Sequence, residues 1–199
     1  MEKHICDTDI WVNICLGEVC YPYVNHYSNV YFSEFVENEI LKWSRGESRF
    51  NKIADYFTTH KNNGEISVLY LNNFDNLTQI IVKSELQMYG FSDIDNKNKK
   101  IKNLGEYASA VFASQEGISN FHTNDNEFGE TGSGHRCFPD LSVFNLNNIL
   151  NDVLDHKIRI NTMALIEREY PLMKQSDDSQ QLSSKLQQLK DMASNRRLR

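Results

Sequence analysis

The chain lacks the long apolar run of a membrane protein. None of its segments approaches the roughly 18 apolar residues that a helix needs to cross a bilayer, and its first residues, MEKH, do not begin the apolar stretch of a signal peptide. Cysteine is also scarce: the four cysteines form no CxxC pair, and the spacing of Cys15 and Cys20 does not match a zinc knuckle. We therefore expect a cytoplasmic protein with reduced, mostly buried thiols and no membrane contact.

An excess of positive charge is missing too. Lysine and arginine number 21 against 27 aspartates and glutamates, which gives a net charge of −6. This balance argues against a non-specific coat on nucleic acid, so any contact with nucleic acid must be local. The 199 residues suffice for one domain with a single core and an extension.

Strand-like and helix-like segments alternate through residues 1–155, without an internal repeat. This alternation predicts an α/β fold, a three-layer sandwich around a central, mostly parallel sheet of four to five strands. Residues 17–28, which contain Pro22, are predicted to form a loop, and residues 129–134 a flexible connection.

The composition changes after residue 155 towards a helical or partly disordered extension, residues 156–199. Helix is expected as far as Pro171. Further on, Leu182, Leu186 and Leu189 form a narrow apolar seam on a polar segment. Such a seam is typical of a docking or pairing helix, and a frayed terminus has a similar pattern.

Acidic residues follow two predicted strands. Asp7 follows the apolar run HIC, Asp9 is placed to cap the next helix, and Asp125 follows the strand that ends at His122. Ligands bind at the carboxyl edge of open α/β sheets, so these acids are site candidates. The alternative is a helix cap with a spare surface acid.

Two glutamates are placed to join them. Glu39 lies four residues after Phe35, near the inward face of its helix, and Glu106 lies in the first turn of another helix. Taken singly, either one is compatible with an ordinary helix acid. Carboxylates sharing one pocket raise one another's pKa unless a divalent cation compensates them, and oxygen ligands favour Mg²⁺ or Mn²⁺.

Four segments in this order, ICDTDIW, VYFSEFVENEI, LGEYASAV and HTND, resemble the PIN domain family over roughly residues 3–155. The resemblance implies a metal-dependent ribonuclease, such as the toxins of bacterial toxin-antitoxin pairs. It also implies that Mg²⁺ or Mn²⁺ is held by four catalytic acids, and that Thr123 supports the site. These four acids would be Asp7, Glu39, Glu106 and Asp125.

The sequence departs from the family pattern at two acids. Glu106 stands where many members have aspartate, and Asp9 stands where asparagine is usual. We interpret Asp9 as a supporting acid. The expected partners are RNA, an antitoxin or other protein bound through the extension, and a second copy of the chain.

A cluster of lysines, here called the basic segment, is the candidate RNA-backbone contact; an alternative is a solvated loop. It consists of Lys97, Lys99, Lys100 and Lys102.

Two other functions compete with the ribonuclease interpretation. CDTDIW also resembles the DxD motif of haloacid-dehalogenase-like phosphatases, which need a later lysine and a closing acidic pair. The only Asp-Asp pair, Asp177 and Asp178, lies in the polar tail with no strand leading into it. The other alternative is a catalytically inactive PIN-like module that binds RNA or protein.

Overall fold

A five-stranded parallel sheet forms the centre of the computed structural model, which describes residues 2–45, 49–91, 94 and 103–197. The strand order is β3-β2-β1-β4-β5, and every pair of neighbours is parallel. The strands are β1 (His4–Cys6), β2 (Val30–Ser33), β3 (Ile66–Leu69), β4 (Asn120–His122) and β5 (Ser142–Phe144). The predicted α/β class and mostly parallel sheet are confirmed.

Helices pack on both faces of the sheet and complete the predicted three-layer sandwich. They are α1 (Thr8–Leu16), α2 (Cys20–Tyr27), α3 (Glu34–Leu41), α4 (Lys52–Asn62), α5 (Asn76–Met88), α6 (Leu104–Glu116), α7 (Ser133–Cys137), α8 (Leu146–Val153) and α9 (His156–Arg197). Short 3-10 turns cover Lys42–Arg45, Leu71–Asn73 and Asn126–Phe128.

Two apolar cores lie on opposite faces of the sheet. Successive residues of a strand point to opposite faces, so Cys6 contributes to one core and Ile5 to the other. The first core packs α1, α2, α4 and α8 around the fully buried Trp11, and the second packs α5 and α6 around Phe121.

Three local predictions differ from the structure. Most of the predicted loop 17–28 is α2, because Pro22 is the third residue of that helix and the first turn tolerates proline. The predicted flexible connection of residues 129–134 ends in a helix, because α7 already begins at Ser133. The last helix, α9, continues past Pro171, since Ile166 and Met173, on either side of the proline, are buried in the first core.

The junction of α1 and α2 brings α9 close to α1. The amide of Val19 donates to the carbonyl of Ile14 at 3.0 Å, and Glu18 adopts a left-handed conformation with φ of 60°, as in a Schellman turn. Gly17 has an ordinary φ of −76°. A Cβ at Gly17 would lie 2.8 Å from Cγ2 of Thr162, so glycine at this position permits the close packing of α9.

Candidate active site at the carboxyl edge of the sheet

The sheet topology places two acidic strand ends side by side. The chain winds from β1 to β3 on one side and then crosses to β4 and β5 on the other, so β1 and β4 flank the switch point where ligands bind in such sheets. Asp7 directly follows β1, and its amide donates to the carbonyl of His122, the last residue of β4, at 3.0 Å. The chain segments that follow the two strands therefore start in contact.

Asp7 is the most deeply buried of the predicted acids, with 2% of its surface exposed. It caps α1 by accepting from the amide of Thr8 at 2.5 Å. The predicted cap at Asp9 is wrong, because α1 starts at Thr8 and Asp9 lies within its first turn. Burial raises the pKa of Asp7 well above its usual range, and the charges of Asp9 and Glu106 raise it further.

The hydroxyl of Thr123 links Asp7 to Asp125. It donates to Oδ2 of Asp7 at 3.0 Å and accepts from the amide of Asp125 at 3.0 Å. The carboxylate of Asp125 accepts in turn from the amide of Glu127 at 2.9 Å, so it caps the 3-10 turn that follows β4. Thr123 therefore connects the segments that follow β1 and β4.

Glu39 reaches the site from α3. Its Oε2 accepts from the hydroxyl of Thr8 at 2.6 Å, and this bond joins α3 to the residue after Asp7. The same oxygen would lie 3.3 Å from a Cβ at Gly105, so the absence of a side chain there leaves room for Glu39 beside the start of α6. Thr8 and Gly105 were not predicted as site residues, although both adjoin a predicted acid in the sequence.

The pKa of Glu106 is raised by its surroundings, including other acids. Burial raises its pKa from 4.5 to about 7, and the charges of Glu39, Asp125 and Asp9 contribute to the rise. These three acids belong to α3, to the segment after β4 and to α1, so acids from three other parts of the chain act on Glu106.

Asp9 adds a fifth carboxylate. Burial raises its pKa, although hydrogen bonds involving Asn124 lower it in part. Its Oδ1 atom is buried, and among the residues that the structure describes it has no hydrogen-bond partner. A buried carboxylate oxygen without a donor is costly, which makes Asp9 a natural neighbour for a cation or a donor from a ligand.

The chemistry of these acids fits a hard divalent cation, but their side chains are turned towards other partners. Within the described ranges, no three His, Cys, Asp or Glu side chains are arranged to hold a metal ion. Oxygens of Asp7, Glu39 and Asp125 accept instead from hydroxyl or amide groups of the chain. Binding of a cation would therefore require some of these side chains to reorient.

The structure thus brings five predicted acids and Thr123 to one edge of the sheet, while the basic segment lies outside the described residues. Comparison with protein-family models finds no match, and neither does comparison with curated proteins. In the part of the chain that is described, no helix has the length and apolar character needed to span a membrane.

Proposed function

We propose that the protein is a metal-dependent endoribonuclease that hydrolyses RNA phosphodiester bonds. One observation carries the proposal: acids from four separate segments gather at the switch point of a parallel sheet. Burial there raises the pKa values of Asp7, Asp9 and Glu106, and the charges of other acids of the group raise those of Asp7 and Glu106 further. Acids whose only role is solubility would not need to be buried together. The resemblance to the PIN family supports the same function.

A cation would relieve the repulsion within this group. Mg²⁺ or Mn²⁺ suits carboxylate oxygens, and the residues that would hold it are Asp7, Glu39, Glu106 and Asp125. When bound, the metal supplies a water of lowered pKa and charge compensation for the phosphodiester. Asp9, whose Oδ1 has no hydrogen-bond partner among the described residues, would supply a further carboxylate oxygen to the cation.

The chain's own part is to hold the carboxylates in place. The hydroxyls of Thr8 and Thr123 orient Glu39 and Asp7, and the burial of Asp7 keeps bulk water from its carboxylate. Each hydroxyl belongs to a residue next to, or two residues from, an acid of the group. Reorienting one acid on binding therefore affects its neighbours.

RNA is the proposed substrate, and the basic segment is the proposed contact for its backbone. In the sequence, the segment ends two residues before the start of α6, whose first turn contains Glu106. Within the same proposal, the protein acts in the cytoplasm as a toxin or defence nuclease. Residues 156–199 then bind an antitoxin, another protein or a second copy.

The experiment is to incubate labelled RNA and labelled DNA with the protein in Mg²⁺, Mn²⁺ or EDTA. We expect cleavage of RNA that requires a metal, is lost in Asp7→Asn, and is retained in Asp140→Asn, a control at an exposed aspartate. Cleavage by Asp7→Asn at the wild-type rate, in a preparation free of contaminating nuclease, would contradict the site assignment. RNA binding without cleavage in any metal would favour the inactive module.

The phosphatase alternative is favoured by one feature, the nearness of Asp7 and Asp9 just after β1. Phosphatases with a DxD motif use such a pair as nucleophile and acid. Adding a generic phosphomonoester to the same assay separates the two functions. Its hydrolysis without RNA cleavage would replace the ribonuclease proposal.

A further inference from the structure

Cys15 and Cys20 are in contact, although the proposed hydrolysis uses neither of them. Cys15 lies in the last turn of α1, and Cys20 is the first residue of α2. Their sulfur atoms are 3.1 Å apart, about 1 Å farther than the sulfurs of a disulfide. Both are free thiols in the structure.

The backbone of the turn between α1 and α2 places the two sulfur atoms close together. The Schellman turn between the two helices is closed by bonds from Glu18 to the carbonyl of Cys15 at 3.2 Å and from Val19 to that of Ile14 at 3.0 Å. Outside the turn, Lys52 pairs with Glu18 at 3.4 Å. The hydrogen bonds of the turn therefore hold the two sulfurs side by side.

The other two cysteines provide internal comparisons. Cys6 is buried, and its thiol donates to the carbonyl of Asp7. Cys137 is exposed at the end of α7, and no contact with another sulfur is observed for it among the described residues. A reaction that depends on a preformed pair should distinguish Cys15 and Cys20 from both.

We propose that Cys15 and Cys20 are an oxidation site at which a hydroperoxide forms an intramolecular disulfide. This proposal is independent of the ribonuclease activity. In a reducing cytoplasm, such a bond would be transient and would respond to oxidant. Its location makes it a reversible cross-link between α1 and α2, next to the place where α9 packs on Gly17.

The chemistry proceeds in two balanced steps. The Cys20 thiolate attacks one oxygen of hydrogen peroxide, the O–O bond breaks, and hydroxide leaves, so that Cys20 becomes a sulfenic acid. The sulfur of Cys15 then attacks the Cys20 sulfur, its proton passes to the departing hydroxyl, and water leaves. Two thiols are oxidised and one peroxide is reduced to two waters.

The order of attack follows from exposure. Cys20 has 2% of its surface exposed and Cys15 has none, so the first attack is assigned to Cys20. Burial raises the pKa of Cys15 well above its usual range, and it therefore remains a thiol until it meets the sulfenic acid.

The test uses the full chain with Cys137→Ser, which prevents links between molecules. The folded protein is treated with hydrogen peroxide and is then denatured in the presence of N-ethylmaleimide, which alkylates the remaining thiols. It is next cut with a glutamate-specific protease, which cleaves after Glu18, between the two cysteines. We expect the peptides on either side of Glu18 to stay linked until a thiol reductant is added. Alkylation should be lost at Cys15 and Cys20 and retained at Cys6.

Matched variants identify the linked sulfur, because Cys6 and Cys15 lie on the same side of Glu18. The link should persist in Cys6→Ser and disappear in Cys15→Ser. If Cys15→Ser does not fold, the peptide map of the Cys6→Ser protein decides the question alone. The proposal is overturned if a dose that oxidises Cys137 in the unaltered chain leaves Cys15 and Cys20 alkylated, or if the link requires Cys6.

Discussion

Replacing Glu106 with glutamine should stabilise the protein when no metal is present. In the folded state the pKa of Glu106 is raised from 4.5 to about 7, first by burial and then by Glu39, Asp125 and Asp9. Between these two values the folded protein binds a proton that the unfolded chain releases. Folding stability therefore falls as pH rises through this window, stays level above it, and is unaffected by Glu106 below it.

The size of the effect follows from the interval between the two pKa values. At about 1.4 kcal/mol for each pH unit, the charged form of Glu106 lowers the free energy of unfolding by about 3 kcal/mol above pH 7. Glutamine has nearly the same shape and no charge. In EDTA at about pH 8, Glu106→Gln should therefore gain up to about 3 kcal/mol over wild type, and this gain should vanish near pH 4.5.

Urea unfolding at several pH values, followed by far-ultraviolet circular dichroism and by the fluorescence of the buried Trp11, measures this difference. Glu167→Gln, at an exposed position on α9, is the matched control and should behave as wild type. Adding Mg²⁺ or Mn²⁺ should stabilise wild type more than Glu106→Gln, because the variant has lost a ligand. The reasoning is refuted if Glu106→Gln is no more stable than wild type at about pH 8 in EDTA, or if its gain is the same at every pH.

Three further predictions concern other parts of the chain. Gly105→Ala should reduce RNA cleavage by crowding Glu39, but it should leave the melting temperature equal or higher, since alanine favours helix. Unchanged cleavage would show that Glu39 is not part of the site. Gly17→Ala should lower the free energy of unfolding by about 1–3 kcal/mol in urea titrations through its contact with Thr162, and Thr162→Ser should restore part of the loss; no loss would mean that α9 is not packed here. Alanine at all four lysines of the basic segment should weaken RNA binding in titrations and flatten its dependence on salt, whereas an unchanged slope would indicate a solvated loop.

Local patterns predicted the fold class and the positions of the acids. The alternation of strands and helices can be predicted from patterns among neighbouring residues. The carboxyl ends of parallel strands lie at the same edge of a sheet, and this rule predicts that Asp7 and Asp125 lie near each other. Local signals were weaker at helix starts. Asp7 and Asp9 both suit a cap, and only the course of the backbone after β1 selects Asp7. Proline likewise suggested a loop at Pro22, where it occupies the first turn of α2.

Contacts between distant segments depend on how the helices and strands pack. The bond from Thr8 to Glu39 joins residues of two different helices, and the room that Gly105 leaves for Glu39 depends on how α3 meets α6. The pKa of Glu106 depends on burial and on charges from three other segments, none of which is visible in its own helix. Local sequence patterns therefore specify which acids exist and at which strand or helix ends they lie. Their mutual distances, and with them the repulsion that a cation would relieve, depend on packing between elements that no local pattern encodes.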